Sequence, residues 1–313
     1  SKGIQSAAAA ALSAAMLIAV AACGTTDSTD TASKSGDSSK DSSSTSIQGF
    51  DTSSIQKDDE IAALLPDSVA GDGTLTVGTD TSYAPAEFLA EDGKTPVGFD
   101  VDIAKALAQV FGLEADPETA NFDSIIPSVG SKYDIGISSF TVTKERLEAV
   151  DFVSHFDAGS AWAVKKGNPK KLDTSDMCGA KIAVQTGTVQ EEEANTIAKG
   201  CEADNKTEVM SYKRQAEAAT AVATGKADAF YADSPVAGYA ISQTDGQLEA
   251  LGDVEGVAKQ GIAVKKGNTQ LAEAVQKAVQ KLMDDGTYMK ILKHWGVENG
   301  GIDKAEINPT DLG

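Results

Sequence analysis

The sequence predicts an α/β protein in which short strands alternate with helices, and three observations support this class. Apolar residues recur at strand and helix periods from residue 74 onward, an alternation typical of parallel sheets covered by helices. Hydrophobic residues make up 41% of the chain and charged residues 24%, which is usual for a globular protein. A length of 313 residues is enough for two domains of ordinary size.

The N-terminal segment has the composition of an export signal. Lys2 precedes an apolar stretch, Ala7–Ala22, which is short for a membrane span and ends in small residues. The sequence Val20–Gly24 resembles a bacterial lipobox, which implies a lipoprotein signal peptide over residues 1–22 and a lipid on Cys23. A buried cysteine in an alanine-rich helix is the alternative. We expect an exported protein, lipid-anchored on the outer face of the cytoplasmic membrane.

Residues 23–72 are predicted to form a disordered tether. Ser or Thr occupies 17 of the 31 positions 24–54, and such a segment cannot bury enough apolar surface to fold. The composition alone also fits an ordinary disordered terminus. Its position directly behind the lipobox favours a tether that holds a domain near a membrane surface.

The first series of strands and helices begins at Thr74. Residues Thr74–Val77 alternate like a strand. A helix is predicted between Asp100 and Gly112, because the apolar residues from Ile103 to Phe111 fall on one helical face. The next predicted strand is Asp134–Ile137.

A second series of the same kind follows. Its predicted elements are a strand at Lys181–Val184, a helix at Gln190–Lys199, a strand at Glu208–Ser211, a helix at Arg214–Thr224 and a strand at Ala227–Ala232. Repeated units of this type form parallel sheets whose ligand sites lie at the carboxyl ends of the strands. We therefore expect the functional residues at those strand ends.

Cys178 and Cys201 flank the first strand and helix of the second series. Paired cysteines in an exported chain usually form a disulfide, which is our prediction here. Two free buried thiols are the alternative.

Charge and composition exclude several functions. Lys and Arg number 27 against 47 Asp and Glu, so the formal net charge is −20. A general nucleic-acid binder needs a basic surface to release phosphate counterions, so nucleic acid is not an expected partner. Three Cys and two His, without a Cys-x-x-Cys or His-Glu-x-x-His motif, predict no metal site and no cofactor.

Polar groups that do not belong in a core are concentrated in four strand-end regions. These regions are 78–88 with 97–102, 121–127, 138–146 continuing to 152, and 184–191 with 231–235. Their order along the chain, together with Asp285-Gly286-Thr287-Tyr288 further on, resembles family 3 of the bacterial extracellular solute-binding proteins. The resemblance runs from about Leu75 to Trp295, about 70% of the chain.

The resemblance implies a two-lobed, periplasmic-binding-protein-like fold of type II, with the ligand cleft between the lobes. Lobe 1 then comprises residues 73–157 and 262–300, lobe 2 comprises 161–256, and 301–313 form a C-terminal tail. Two hinge strands are expected near 156–160 and 257–261. The implied function is capture of a free polar amino acid by lobe closure and its delivery to an ABC permease and its ATPase. The protein is expected to act as a monomer and not as an enzyme, so no catalytic residue is assigned.

The chemistry of an amino acid matches particular residues of the four regions. Arg146 supplies a guanidinium that can pair bidentately with the ligand carboxylate, and Thr141 adds a hydroxyl. Thr188 and Val189 precede a predicted helix, where free N–H groups favour an anion.

Asp233 is expected to bind the ligand ammonium, assisted by Ser138 or Ser139. The alternatives are an exposed helix charge for Arg146 and a helix cap for Asp233.

The ligand side chain is expected to meet a second group of residues. Tyr83 and Phe122 resemble the family's aromatic sandwich, with a place in the core as the alternative reading. Asp80 would face the side chain and favours a hydrogen-bond donor, and Gln185 beside it leaves its charge less neutralised than a lysine would. This predicts Arg, Lys, ornithine or His, then Gln, and disfavours acidic ligands.

Two rival functions fit the same fold. One is an enzyme similar to cyclohexadienyl dehydratases, which the predicted lipid anchor and tether argue against. The other is an amino-acid sensor that reports to a separate signalling partner.

Overall fold

The computed structural model describes residues 46–312. The predicted signal peptide, Cys23 and the first part of the predicted tether lie outside the described residues. None of the helices within 46–312 combines the length and apolarity needed to cross a membrane.

Eleven strands and ten α-helices alternate along the described residues. The strands are β1 (Thr74–Thr79), β2 (Ser82–Tyr83), β3 (Glu87–Leu89), β4 (Pro96–Val97), β5 (Glu114–Thr119), β6 (Ile135–Thr141), β7 (Val150–Lys165), β8 (Lys181–Gln185), β9 (Glu208–Tyr212), β10 (Ala229–Asp233) and β11 (Leu248–Lys265). The helices are α1 (Asp59–Ala62), α2 (Asp67–Ala70), α3 (Phe99–Phe111), α4 (Phe122–Ile125), α5 (Lys144–Ala149), α6 (Val189–Gly200), α7 (Gln215–Ala223), α8 (Ser234–Ser242), α9 (Thr269–Asp284) and α10 (Thr287–His294). Both predicted series of strands and helices are therefore confirmed.

The strands form an eight-stranded mixed sheet in the order β5-β1-β6-β11-β7-β10-β8-β9, beside a small sheet of β2, β3 and β4. β1 runs parallel to β5 and β6, and β8 runs parallel to β9 and β10. The long antiparallel strands β7 and β11 lie between these two parallel groups and belong to both. The result is the predicted arrangement of two α/β lobes joined by a pair of crossing strands.

The crossing strands are irregular where they pass between the lobes. Their pairing register shifts between Leu251 and Ala258 and again at Gln260–Gly261. A side chain at Gly159 would come within 2.4 Å of the Val254 side chain and 2.6 Å of the Glu255 carbonyl oxygen. The close approach of the two strands at this crossing therefore requires glycine.

The predicted helix, α3, packs its apolar face into the core of lobe 1. Ile103, Leu107, Val110 and Phe111 of α3 are all buried. The helix ends at Gly112, whose φ of 69° is the left-handed conformation that glycine adopts readily at a helix C-terminus.

The predicted tether extends to residue 72, but residues 46–72 pack on lobe 1 instead. Ile61, Leu65 and Val69, on and beside α1 and α2, are buried. The N–H of Phe50 donates to Asp102 Oδ2 at 2.8 Å. The tether prediction is wrong for this part, because the spaced apolar residues after position 49 bury enough surface to hold the segment.

The C-terminal tail also packs on lobe 1. Backbone hydrogen bonds join Ser154 N–H to the Glu306 carbonyl oxygen at 2.9 Å and Asn308 N–H to the Phe152 carbonyl oxygen at 2.8 Å. The tail therefore lies beside β7 just before the crossing. In lobe 2, Cys178 and Cys201 form the predicted disulfide.

Candidate functional site

A small cavity between the lobes brings together eight of the eleven predicted binding residues. Lobe 1 contributes Tyr83, Phe122, Ser139, Thr141 and Arg146, and lobe 2 contributes Thr188, Val189 and Asp233, with Gln190 as a ninth lining residue. A wider groove elsewhere between the lobes is lined by residues such as Tyr239, Val257 and Trp295, and Asp157 is the one charged residue among those that line it. An amino acid needs partners of both charges, so the smaller cavity is the candidate site.

Arg146 lies in the first turn of α5, which Thr143 caps by accepting the Arg146 N–H. Its Nη1 donates to the Thr141 carbonyl oxygen at 2.8 Å, and its Nη2 donates to the Gly187 carbonyl oxygen of lobe 2 at 3.0 Å. The guanidinium carbon is 5.3 Å from the Phe122 ring centroid. Burial lowers the pKa of Arg146, but a guanidinium stays charged in proteins. A fixed cation therefore faces the cavity, which disagrees with the alternative of an exposed helix charge.

The start of α6 forms the opposite wall. Thr188 is its N-cap, and its Oγ1 accepts the Glu191 N–H at 3.1 Å and donates to the Gln185 carbonyl oxygen at 2.8 Å. The Thr188 hydroxyl is therefore occupied by local contacts. The first N–H groups of a helix, here from Val189 onward, have no partner within the helix and can bind an anion.

Asp233 ends β10 and is 5% exposed. Its Oδ1 accepts Gln190 Nε2 and its Oδ2 accepts Gln260 Nε2, each at 2.8 Å. Burial raises the pKa of Asp233 to about 6, although these hydrogen bonds and the Arg146 charge act in the opposite direction. Asp233 is the N-cap residue of α8 by position, but its side chain makes no capping bond to that helix. Its two oxygens accept the glutamine amides instead.

Gln190 and Gln260 are functional residues that the sequence predictions missed. They hold the Asp233 carboxylate in place, and Gln190 also bonds Ser160 Oγ at 2.9 Å. The sequence gives one signal for Gln260, because it is a polar residue at the start of an apolar run in a predicted hinge strand. Gln190 carries no such signal, since a glutamine in the first turn of a helix is ordinary.

Ser138 and Ser139 differ in their position relative to the cavity. Ser138 Oγ accepts the Asp80 N–H at 3.0 Å, beneath the cavity wall. Ser139 lines the cavity and has a φ of 52°. Of the two serines proposed to assist Asp233, only Ser139 therefore faces the cavity.

Asp80 and Gln185 bond each other across the lobes and do not line the cavity. Asp80 Oδ2 accepts Gln185 Nε2 at 2.8 Å and the Phe122 N–H at 3.0 Å, and Oδ1 accepts the N–H and hydroxyl of Ser82. Burial raises the pKa of Asp80, while the bonds from Ser82 and Phe122 lower it. Asp80 is thus a buried link between the lobes, with two donors on each oxygen.

Further contacts hold the lobes in a closed arrangement. Lys213 Nζ lies 2.6 Å from Asp123 Oδ2. The Gln215 N–H donates to Ser82 Oγ at 3.2 Å, and the Asp233 N–H donates to the Tyr83 hydroxyl at 3.1 Å.

The chain is similar in sequence to known solute-binding proteins. A profile of the family "Bacterial extracellular solute-binding proteins, family 3" matches residues 75–298. The arginine-binding protein ArgT of Corynebacterium glutamicum is 38% identical over 257 residues, which cover 81% of this chain and 84% of that protein.

Solved structures agree on the fold. An ancestral arginine-binding protein bound to arginine has a TM-score of 0.66 and 37% identity, over 71% of this chain and 98% of that one. The ancestral amino acid-binding protein AncCDT-1, described as a precursor of cyclohexadienyl dehydratase, has a TM-score of 0.67 and 34% identity, over 74% and 99% of the two chains. The predicted two-lobed type II fold is confirmed.

Proposed function

Because this chain belongs to family 3 of the bacterial extracellular solute-binding proteins, we propose that it captures a polar amino acid between its lobes for an ABC importer. The observation that carries the proposal is that Arg146 of lobe 1 and Asp233 of lobe 2 line one cavity. A free amino acid presents a carboxylate to the first and an ammonium to the second. A ligand that contacts both lobes binds the closed form better than the open form, and this difference drives closure.

The ligand is a cationic amino acid, with arginine first and lysine, ornithine and histidine next, and glutamine after these. Asp80 supports this choice because its hydrogen-bond donors, Ser82, Phe122 and Gln185, are all neutral. Arg214 offsets part of the Asp80 charge, and the negative field that remains behind the Phe122 wall favours a positive side chain. The similarity to an arginine-binding protein points the same way.

The ligand-bound, closed form then docks on a membrane permease, whose partner ATPase drives import. The protein acts outside the cytoplasm as a monomer, held to the outer face of the cytoplasmic membrane by a lipid on Cys23.

A thermal-shift screen tests the function. The purified protein is heated with each of the twenty amino acids, ornithine and citrulline, and we expect the largest rise of Tm with arginine. A ligand at a hundred times its Kd stabilises the fold by about 2.7 kcal/mol, which such a screen detects readily. Turnover of prephenate and arogenate is measured in parallel, and none is expected. Turnover of either compound, with no shift by any amino acid, would overturn the proposal in favour of a dehydratase.

A further inference from the structure

Three ionisable side chains are completely buried in lobe 1 behind the cavity wall. Glu87 of β3, Asp100 of α3 and His155 of β7 are each 0% exposed, and none of them lines the cavity. Buried charges are costly unless they are paired. These three side chains must therefore be paired with one another or with other buried groups.

The cluster holds the one serine that faces the cavity. The Ser139 N–H donates to Asp100 Oδ2 at 2.8 Å. The Ser139 hydroxyl lies 3.2 Å from Asp100 Oδ2 and also 3.2 Å from Glu87 Oε1. These bonds fix Ser139 at a φ of 52°, a conformation that non-glycine residues rarely adopt and that costs about 1–3 kcal/mol.

The same cluster contacts the strand that crosses between the lobes. His155 Nε2 lies 2.7 Å from Asp100 Oδ1. His155 directly precedes Phe156, where the predicted hinge begins, and its carbonyl oxygen accepts the Tyr288 hydroxyl of α10 at 2.8 Å. The cluster thus connects Ser139 to β7 and to α10.

The geometry requires one proton between the two acids. The Ser139 hydroxyl lies 3.2 Å from an oxygen of each acid, which places Glu87 and Asp100 beside each other, and two carboxylates so close cannot both remain charged without water. Glu87 Oε2 is buried and has no hydrogen-bond partner among the described residues, so a negative charge on this oxygen would be unsatisfied.

The electrostatic surroundings assign that proton to Glu87. Burial, and next the Asp100 charge, raise the pKa of Glu87 well above its usual value. Burial alone would raise the pKa of Asp100, but the His155 charge and the hydrogen bonds from Glu87, His155 and Ser139 hold it below its usual value.

We propose that Glu87, Asp100 and His155 are positioning residues, in which neutral Glu87 donates to the Asp100 carboxylate and the pair fixes Ser139 for ligand binding. This inference rests on the proposed function. Ionisation of Glu87 places two negative charges behind Ser139 and releases it, so ligand affinity depends on a proton that the ligand never touches.

Other ionisable groups surround the cluster and must be considered in any pH profile. Asp80 after β1 and Tyr83 of β2 interact with Glu87 through their charges. Tyr288 of α10 faces Asp100 and Asp157. Only a comparison in which Glu87 alone changes can therefore identify its proton.

The test compares the wild type with Glu87→Gln, whose amide keeps a donor to Asp100 and cannot ionise. L-arginine affinity is measured by calorimetry from about pH 6 to pH 10. We expect Glu87→Gln to match the wild type near pH 7 and to lose less affinity at alkaline pH. The difference grows by up to about tenfold per pH unit once Glu87 ionises. Arginine's own ammonium affects both proteins equally and cancels.

Two further variants separate positioning from simple loss of structure. Glu87→Ala removes the donor, so its affinity near pH 7 should fall at least about tenfold, and Glu87→Gln should restore it. Glu118→Gln makes the same chemical change at an exposed pair with Lys132 and should follow the wild type throughout. Parallel pH profiles for the wild type and Glu87→Gln, or equal affinities for Glu87→Ala and the wild type, would overturn the inference.

Unfolding of the ligand-free protein distinguishes failure of this inference from failure of the proposed function. A wild type that binds none of the screened amino acids refutes the function. Whether Glu87 carries the proton is then tested by measuring the free energy of unfolding as a function of pH. The folded state retains a proton that the unfolded state loses, so the wild type should lose stability relative to Glu87→Gln as pH rises above about 4.5. If the difference in free energy of unfolding between the wild type and Glu87→Gln does not change with pH, that result alone overturns the inference.

Discussion

The buried hydrogen bond between Gln185 and Asp80 should contribute strongly to ligand affinity, although neither residue lines the cavity. The Gln185→Ala substitution removes it. Gln185 belongs to lobe 2 and Asp80 to lobe 1, and the bond is 2.8 Å long. It therefore stabilises the closed arrangement specifically, and its loss lowers the fraction of protein that can hold the ligand.

The expected magnitude follows from the chemistry of this bond. A hydrogen bond to a charged group contributes about 1.5–3 kcal/mol, so its loss should weaken ligand binding by about 10- to 150-fold. Asp80 is 4% exposed, so solvent does little to replace the missing donor. The Phe122 N–H and Ser82 remain as donors, which keeps the folded structure of lobe 1 intact.

The matched control is Lys213→Ala, which also removes a contact between the lobes. Lys213 Nζ lies 2.6 Å from Asp123 Oδ2, but the two side chains are 56% and 33% exposed. Exposed ion pairs contribute about 0.2–1 kcal/mol, so this variant should lose at most about fivefold in affinity. Both affinities are measured by isothermal titration calorimetry with L-arginine at low and physiological salt, and only the Lys213 effect should shrink with salt.

One result would refute this reasoning. If Gln185→Ala binds within about twofold of the wild type while Lys213→Ala loses more, burial does not determine which contacts hold the lobes together. Unchanged Tm values for both ligand-free variants would show that the difference lies in closure and not in folding.

Three other outcomes are expected. Arg146→Ala should abolish nearly all amino-acid binding in calorimetry, since it removes the cation of the cavity, and near-normal affinity would exclude its role. The raised pKa of Asp233, about 6, means that affinity should fall as pH drops below about 6. Because the folded protein favours protonated Asp233, the contribution of this group to stability is greatest at low pH and declines as pH rises towards 6. Asp233→Asn should therefore stabilise the ligand-free protein at pH 7 by up to about 3 kcal/mol while weakening binding, as chemical denaturation and calorimetry can measure. Replacing both Cys178 and Cys201 by serine should destabilise the protein by about 3 kcal/mol in denaturation experiments without changing the Kd.

The parts of the fold that the sequence predicts well are those with a local pattern. The faces of α3 and the strand from Thr74 follow from periodicity, and the strand ends that meet at the cleft follow from the parallel topology. The packing of segment 46–72 on lobe 1 was not predicted, because the segment begins with many Ser and Thr residues and contains few apolar ones. Ile61 and Leu65 are buried and Phe50 is half-buried against the core that contains α3, and these contacts cannot be predicted from the composition of the segment.

The predictions for the site have the same limit, because they too depend on local sequence patterns. Arg146 and Asp233 could be assigned to the cavity from the motifs of the family resemblance, and both line it. Gln190 and Gln260 could not, because an amide becomes functional only through the group it meets in space. The contact between Asp80 and Gln185 depends on lobe closure, because the two residues are 105 positions apart and belong to different lobes.

The paired crossing of β7 and β11 makes lobe 2 an insertion within lobe 1. The chain leaves lobe 1 and returns to it at neighbouring points, since Ser160 pairs with Glu255 and Ala158 with Ala258. The half of the cleft that holds Asp233 is therefore a cassette with two adjacent junctions. Exchange of that segment between relatives would combine a different lobe 2 with the same Arg146 half of the cleft, so a new ligand preference could arise by recombination instead of by point substitution.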